Sequence, residues 1–121
     1  MKRLKICAAI LSTGAFMVAQ PVAAHHSFAM FDQKNVKILK GVTVTKFQWS
    51  NPHVYLIVNS GGGTFALECN SPSNMTQAGW KFNTLKEGDS IDISFFPLRN
   101  GKPGGALKVV TLKGGKTLDA W

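Results

Sequence analysis

Covalent crosslinking is closed to most of this chain. Of its two cysteines, Cys7 lies in an N-terminal apolar segment and Cys69 in the middle of the sequence. If that segment is a leader peptide that is removed, one thiol remains, and the core must hold without a disulfide. Acids are scarce as well: Asp32, Glu68, Glu87, Asp89, Asp92 and Asp119 make up the full set. They form no recognisable catalytic pair, and no serine sits in a nucleophile elbow, so hydrolytic chemistry has little to work with. The longest apolar run, Ile6 to Ala19, is too short for a bilayer core of about 30 Å. No block of five lysines occurs, and the scattered cations read as a solvated surface rather than a nucleic-acid tail. Internal repeats, low-complexity tracts and linkers are also missing.

What is present begins with an address. Met1-Lys2-Arg3-Leu4-Lys5 is basic, Ile6 to Ala19 is mostly apolar, and Pro21 interrupts any helix. Val22 and Ala24 then fit the small-residue rule for a cleavage site. The expectation is a cleavable signal peptide over 1–24 and a single domain over 25–121, periplasmic or secreted, with no stable membrane anchor after processing. Cys7 precedes the apolar stretch, which is the wrong side for lipid attachment. The remaining 97 residues carry ten lysines and Arg99 against six acids, a net charge of +5. Such a chain can bury one small core. Its charge favours solubility and attracts anionic surfaces weakly.

The hydrophobic pattern is that of short strands. Lys37 to Trp49 reads as a long first strand, with Val36, Ile38, Val42 and Val44 in one phase and Phe47 and Trp49 in the other. The change of phase predicts a bulge near Thr45-Lys46, and a bulge bends a strand. A second strand over His53 to Asn59 alternates Val54, Leu56 and Val58 against His53, Tyr55 and Ile57. Gly61-Gly62-Gly63 turns it into a third, Thr64 to Asn70, with Phe65, Leu67 and Cys69 on one face. Ser71-Pro72 is a helix start, and the helix should run to about Ala78 and stop near Gly79. Trp80, Phe82 and Leu85 are expected to pack that segment down. Ser90 to Phe96 forms a fourth strand with Ile91, Ile93 and Phe95 inward, ended by Pro97. After the glycine-rich loop 99–105, Ala106 to Leu112 is the fifth, and Gly114-Gly115 opens a tail. Three strands, a helix and two strands, the first of them bent, outline an all-β, OB-fold-like five-stranded barrel. A β-sandwich is the alternative, but it needs about seven strands.

Five ordered stretches carry a family likeness: "AHHSFAMFD" at 24–32, "GVTVTKFQWSNPHVYL" at 41–56, "AGW" at 78–80, "LKEGDSI" at 85–91 and "PLRNGKPGGAL" at 97–107. In these the chain resembles an uncharacterised family of small exported bacterial proteins. The resemblance implies export and a shared architecture, and it implies no activity. The family's recurring polar residues fall here on His25, His26, Trp49, Asn51, Pro52 and His53, whereas Cys69 lies outside its pattern.

Chemistry concentrates at the start of the processed chain. Cleavage after Ala24 would give His25 a free amine beside its imidazole, and the two can close a chelate ring around a metal. A second imidazole, from His53 or His26, would complete a T-shaped set of three nitrogens. Nitrogen donors in a tetragonal arrangement favour Cu(II), and an α-amine with a pKa of about 8 yields its proton to a metal near neutrality. The ligand set, though not the fold, is similar to the histidine brace of copper monooxygenases and some copper carriers. Cleavage one residue earlier would put histidine third, and such a start wraps Cu(II) or Ni(II) without help from a fold. A frayed terminus and a strand-end His53 bonded to a carbonyl are the plain alternatives.

Other residues weigh less. Met30 and Met75 read as core filler, and Cys69 as a buried, inert thiol. Trp49, Tyr55 and Trp80 could stack a sugar or a base, but such aromatics more often pack a barrel end. Together with Asn51, Trp49 and Tyr55 mark a candidate surface. The loop 99–105 offers amides and two cations to an anion, with no helix behind it. No nucleic acid is expected as a partner. The expectation is therefore an exported binding protein with copper as its specific candidate ligand. The alternatives are a metal-free module for a periplasmic protein, glycan or small anion, and a copper-dependent redox enzyme.

Overall fold

A computed structural model describes residues 28–121. The signal peptide expected over 1–24, together with His25 and His26, lies outside the described residues. Six strands follow in order: β1 (Lys37–Gln48), β2 (Tyr55–Ser60), β3 (Gly63–Glu68), β4 (Ser90–Pro97), β5 (Gly104–Thr111) and β6 (Thr117–Asp119). One helix, α1 (Pro72–Gln77), separates β3 from β4. The sheet order is β3-β2-β1-β4-β5-β6, and a parallel pairing of β3 with β5 closes the first five strands into a barrel. The all-β, OB-like expectation holds, with β6 as an addition.

Strand β1 serves both sides of the barrel because it bends twice. Its register slips between Val44 and Lys46 against β2, where the sequence pattern placed a bulge. It slips again between Leu39 and Val42 against β4, around Gly41. That second slip corrects the phase read from the sequence. Each inserted residue reverses which side chains face inward. Val42 and Val44 are fully buried, but Val36 is exposed, Ile38 is 65% exposed, and Leu39 packs against the core instead. Past the first slip, Phe47 and Trp49 join the same core.

The core is apolar throughout, with no buried polar or charged residue among those described. Val54, Leu56, Val58 and Leu67 from the β2–β3 hairpin meet Ile91, Ile93 and Phe95 of β4 and Leu107 and Val110 of β5. Each such side chain contributes about 1.5–3 kcal/mol by leaving water. The parallel seam demands bare backbone. A Cβ on Gly105 would stand 2.0 Å from the Phe96 carbonyl oxygen, and one on Gly104 would stand 2.5 Å from that of Ala66. The glycine pair in "PGGAL" therefore lets three strands approach at the closure point.

Ser71 caps α1 by accepting a hydrogen bond from the Asn74 amide, and Pro72 occupies the first turn. Met75 buries the inner side of the helix, and the chain leaves it at Gly79. Trp80 and Leu85 are buried as expected, but Phe82 is 70% exposed. A tight turn, in which the Thr84 amide bonds the Lys81 carbonyl and the Thr84 hydroxyl takes the Lys81 amide, sets Phe82 outside. Met30 is likewise half exposed rather than core filler, because the 3-10 turn Phe28–Met30 leaves it on the solvent side and Phe31 is buried instead.

The expected tail is a further hairpin. The Leu112 amide bonds the Lys116 carbonyl across Gly114-Gly115, and β6 pairs with β5. Leu118 and Ala120 enter the core. The Trp80 indole donates to the Asp119 carbonyl at 2.6 Å, and the Asn70 amide donates to the Ala120 carbonyl at 3.0 Å. These bonds tie the last residues to the segments that follow β3 and α1, and Trp121 lies at the outer surface of the barrel.

Candidate functional site

His53 is positioned by the turn before it. The Ser50 hydroxyl donates to the His53 carbonyl at 3.0 Å, and Gln48 Nε2 donates to the same hydroxyl at 3.2 Å. His53 precedes β2 rather than opening it, yet the ladder continues past the strand. The Val54 amide bonds the Asn70 carbonyl, and the Cys69 amide bonds the Val54 carbonyl at 2.8 Å. With Val54 turned into the core, His53 faces outward, as alternation requires.

The imidazole has two distinct edges. Nδ1 lies 2.9 Å from the Cys69 carbonyl oxygen, an acceptor, so Nδ1 carries the proton and donates. In the neutral ring this leaves the lone pair on Nε2, which lies 3.5 Å from Glu68 Oε1. His53 is 28% and Glu68 14% exposed in their side chains. Burial raises the Glu68 carboxyl above its usual value, and the nearby His53 opposes that shift. Tyr55, paired with Glu68 across the hairpin, has its hydroxyl pushed up by burial and then by the Glu68 charge. Cys69 points the other way, into the core. Burial raises its thiol strongly, so it is a packing group and a poor nucleophile.

An aromatic wall connects this pair to the N-terminal segment. The Trp121 ring lies 5.8 Å from the His53 ring and 4.8 Å from that of Phe28. Phe28 also meets Phe31 and Phe96 edge-on. The first described residue is therefore held against the same indole that flanks the histidine.

Of the residues singled out by the sequence, His53 and Tyr55 come together on the outer face of the hairpin. Trp49 does not join them, since it meets Phe47 edge-on at 5.8 Å and packs on the core. Asn51 is exposed in the turn, preceding a cis peptide bond to Pro52. His25 and His26 lie outside the described residues. Glu68 and Trp121 escaped the sequence reading. Glu68 was within its reach: a two-residue Gly61-Gly62 turn with both φ values positive, as in type I′, fixes the register that sets Tyr55 opposite Glu68. Trp121 carried no such signal, because its place depends on the short β6.

Among the described residues, no three His, Cys, Asp or Glu side chains converge to hold a metal ion. His53 and Glu68 offer two donors. The glycine-rich loop frames a shallow hollow of about 210 Å³ with Lys37 and Lys102 at its rim. Its backbone is engaged internally, with the Leu98 amide on the Gly104 carbonyl and the Lys102 amide on Asn100 Oδ1, which is hairpin-loop chemistry rather than an anion cradle.

Residues 14–108 match the profile of a family of unknown function, DUF6152. No curated protein and no solved structure matches the chain significantly.

Proposed function

The chain belongs to that family of unknown function, and from this premise we propose that it is exported, cleaved after Ala24, and captures Cu(II) at the outer face of the β2–β3 hairpin. The His25 amine and imidazole chelate the ion, and His53 Nε2 supplies the third nitrogen. One observation carries the choice of His53 over His26. Its Nδ1 is committed to the Cys69 carbonyl, so Nε2 is presented in the tautomer a metal needs. Metal-binding histidines commonly donate their second ring nitrogen to a backbone carbonyl in this way.

Reach supports the reading. Trp121 touches both His53 and Phe28, so those two rings lie within about 11 Å of each other. Two residues, His26 and Ser27, lie between His25 and Phe28, and the three steps of an extended chain, roughly 3.3–3.6 Å each, span about 10–11 Å. His25 can therefore meet Nε2 without moving any described element. Cu(II) leads the divalent affinity order for such nitrogen donors.

The test uses processed protein recovered from the periplasm of an expressing bacterium. Mass spectrometry reads its first residue, and Cu(II) is titrated against a competing chelator. The expected result is a His25 start and one tightly held Cu(II), with affinity reduced at least tenfold in His53→Ala. Equal affinity in that variant would leave a terminal chelator made of His25 and His26 alone. No binding at all would favour a metal-free module acting through the barrel loops.

A further inference from the structure

Independently of the copper reading, we propose that the open mouth of the barrel binds a small organic monocarboxylate whose body is a single apolar ring. The site begins with a break in the parallel seam. The pairing of β3 with β5 starts at Ala66 opposite Gly104, although β3 itself starts at Gly63. Pro103 has no amide with which to extend that ladder, and Pro97 has none at the end of β4. The strands therefore part at Phe65, and the hollow of about 210 Å³ opens between them. Phe65 and Phe95 form its floor, with ring centroids 5.9 Å apart and planes at 62°. Pro97 and Pro103 flank it, and Lys37 and Lys102 stand at its rim. It shares no residue with the His53–Glu68 pair.

The position of Lys37 carries the proposal. On β1 it lies opposite Phe95 of β4, two residues before Leu39, which lies opposite Ile93. Phe95 and Ile93 are buried, and Leu39 packs on the core. Alternation thus puts Lys37 on the inner face of the barrel, at its open end. Its hydrocarbon stem extends the apolar lining while its ammonium stays in water. Lys102 brings a second ammonium from the glycine-rich loop. No acid lines the hollow, and among the described residues neither lysine is ion-paired. The loop's backbone is bonded to itself, so these side chains, rather than amides, meet the anion. Two cations above two aromatic rings suit a ligand with one negative end and one apolar end. The hollow is smaller than the roughly 300–1,000 Å³ of most ligand pockets, which limits the apolar body to one ring. An inorganic anion would leave the phenyl floor uncovered, and a neutral ring would leave the ammonium groups unused.

The experiment titrates metal-free protein at low ionic strength with benzoate, with benzamide and with inorganic phosphate, and follows backbone amides by nuclear magnetic resonance. The expected result is a saturable benzoate shift centred on Phe65, Gly101 and Lys102, with millimolar affinity as befits so small a ligand. Benzamide and phosphate should each bind at least about fivefold more weakly. The double variant Lys37→Met with Lys102→Met should lose at least about fivefold in benzoate affinity, since it removes both charge contacts and keeps the stems. Lys113→Met with Lys116→Met, which removes the same charge from the β5–β6 hairpin, should stay within about twofold of wild type. All four lysines are exposed, so both variants should fold. Benzamide binding as tightly as benzoate would overturn the role of the two lysines, and phosphate binding as tightly would overturn the role of the rings. An equal loss in the two double variants would reduce the effect to net charge. The absence of any saturable shift would show that the hollow takes no such ligand.

Discussion

The two faces of the β2–β3 hairpin differ completely in chemistry although they alternate residue by residue. Inward point Val54, Leu56, Val58, Leu67 and Cys69, all inaccessible to solvent. Outward point His53, Tyr55 and Glu68, partly buried and close to one another. Glu68 and Cys69 are neighbours in sequence, and burial raises the pKa of both. On the inner face this silences a thiol among hydrocarbons. On the outer face it leaves a carboxylate beside an imidazole nitrogen, under an aromatic wall from the far end of the chain. The hairpin lends one face to the core and carries the candidate site on the other, so the two can be broken separately.

The largest effect should come from the inner face. Leu56→Ala removes a fully buried side chain from the centre of the barrel and should cost about 2–5 kcal/mol in chemical denaturation, according to how far the cavity collapses. Cys69 should resist alkylation in the native protein and react only as the chain unfolds, with the labelling rate following denaturant. Rapid native labelling would show that the inner face opens locally, and the contrast between the two faces would weaken.

An intermediate effect is expected where the wall stands. Trp121→Ala removes the ring shared by Phe28 and His53. Aromatic pairs of this kind contribute about 0.5–1.5 kcal/mol beyond area burial, so a stability loss of about 1–2 kcal/mol is expected. Copper affinity should fall severalfold if the N-terminal segment depends on that ring for its approach to His53. Unchanged affinity with lowered stability would assign Trp121 to the fold alone.

The inner face was legible in the sequence, and the outer face only in part. Strict alternation from Val54 to Val58 and from Phe65 to Cys69 gives the hairpin, its glycine turn and its buried side chains. The same rule failed over Val36 and Ile38, because a bulge at Gly41, which takes a positive φ, changes parity; the glycine marks the place but not which side chains turn outward. Phe82 misled for a related reason: an apolar residue in a tight turn follows the backbone rather than a period. In the site, His53 stood out by its motif, and Glu68 could be placed by counting across the turn. Trp121 could not, since a three-residue strand is too short to show a period and its position comes from bonds to Trp80 and Asn70, far away in the chain.

The smallest effect separates burial from pairing on the outer face. In metal-free protein, burial raises the Glu68 carboxyl above its usual 4.5 while His53 pulls the other way. The folded state therefore holds this proton more tightly than the unfolded chain does. Stability linked to Glu68 is fully present below pH 4.5 and is lost as pH rises through the folded value. Glutamine has no proton to lose. Glu68→Gln should match wild type near pH 4 and become the more stable protein as pH approaches neutrality, by an amount read from urea midpoints in the presence of a chelator. The opposite slope, with wild type gaining on the variant as pH rises, would mean that attraction to His53 outweighs desolvation. The pair would then be a structural ion pair, and the outer face would resemble the inner one in serving the fold.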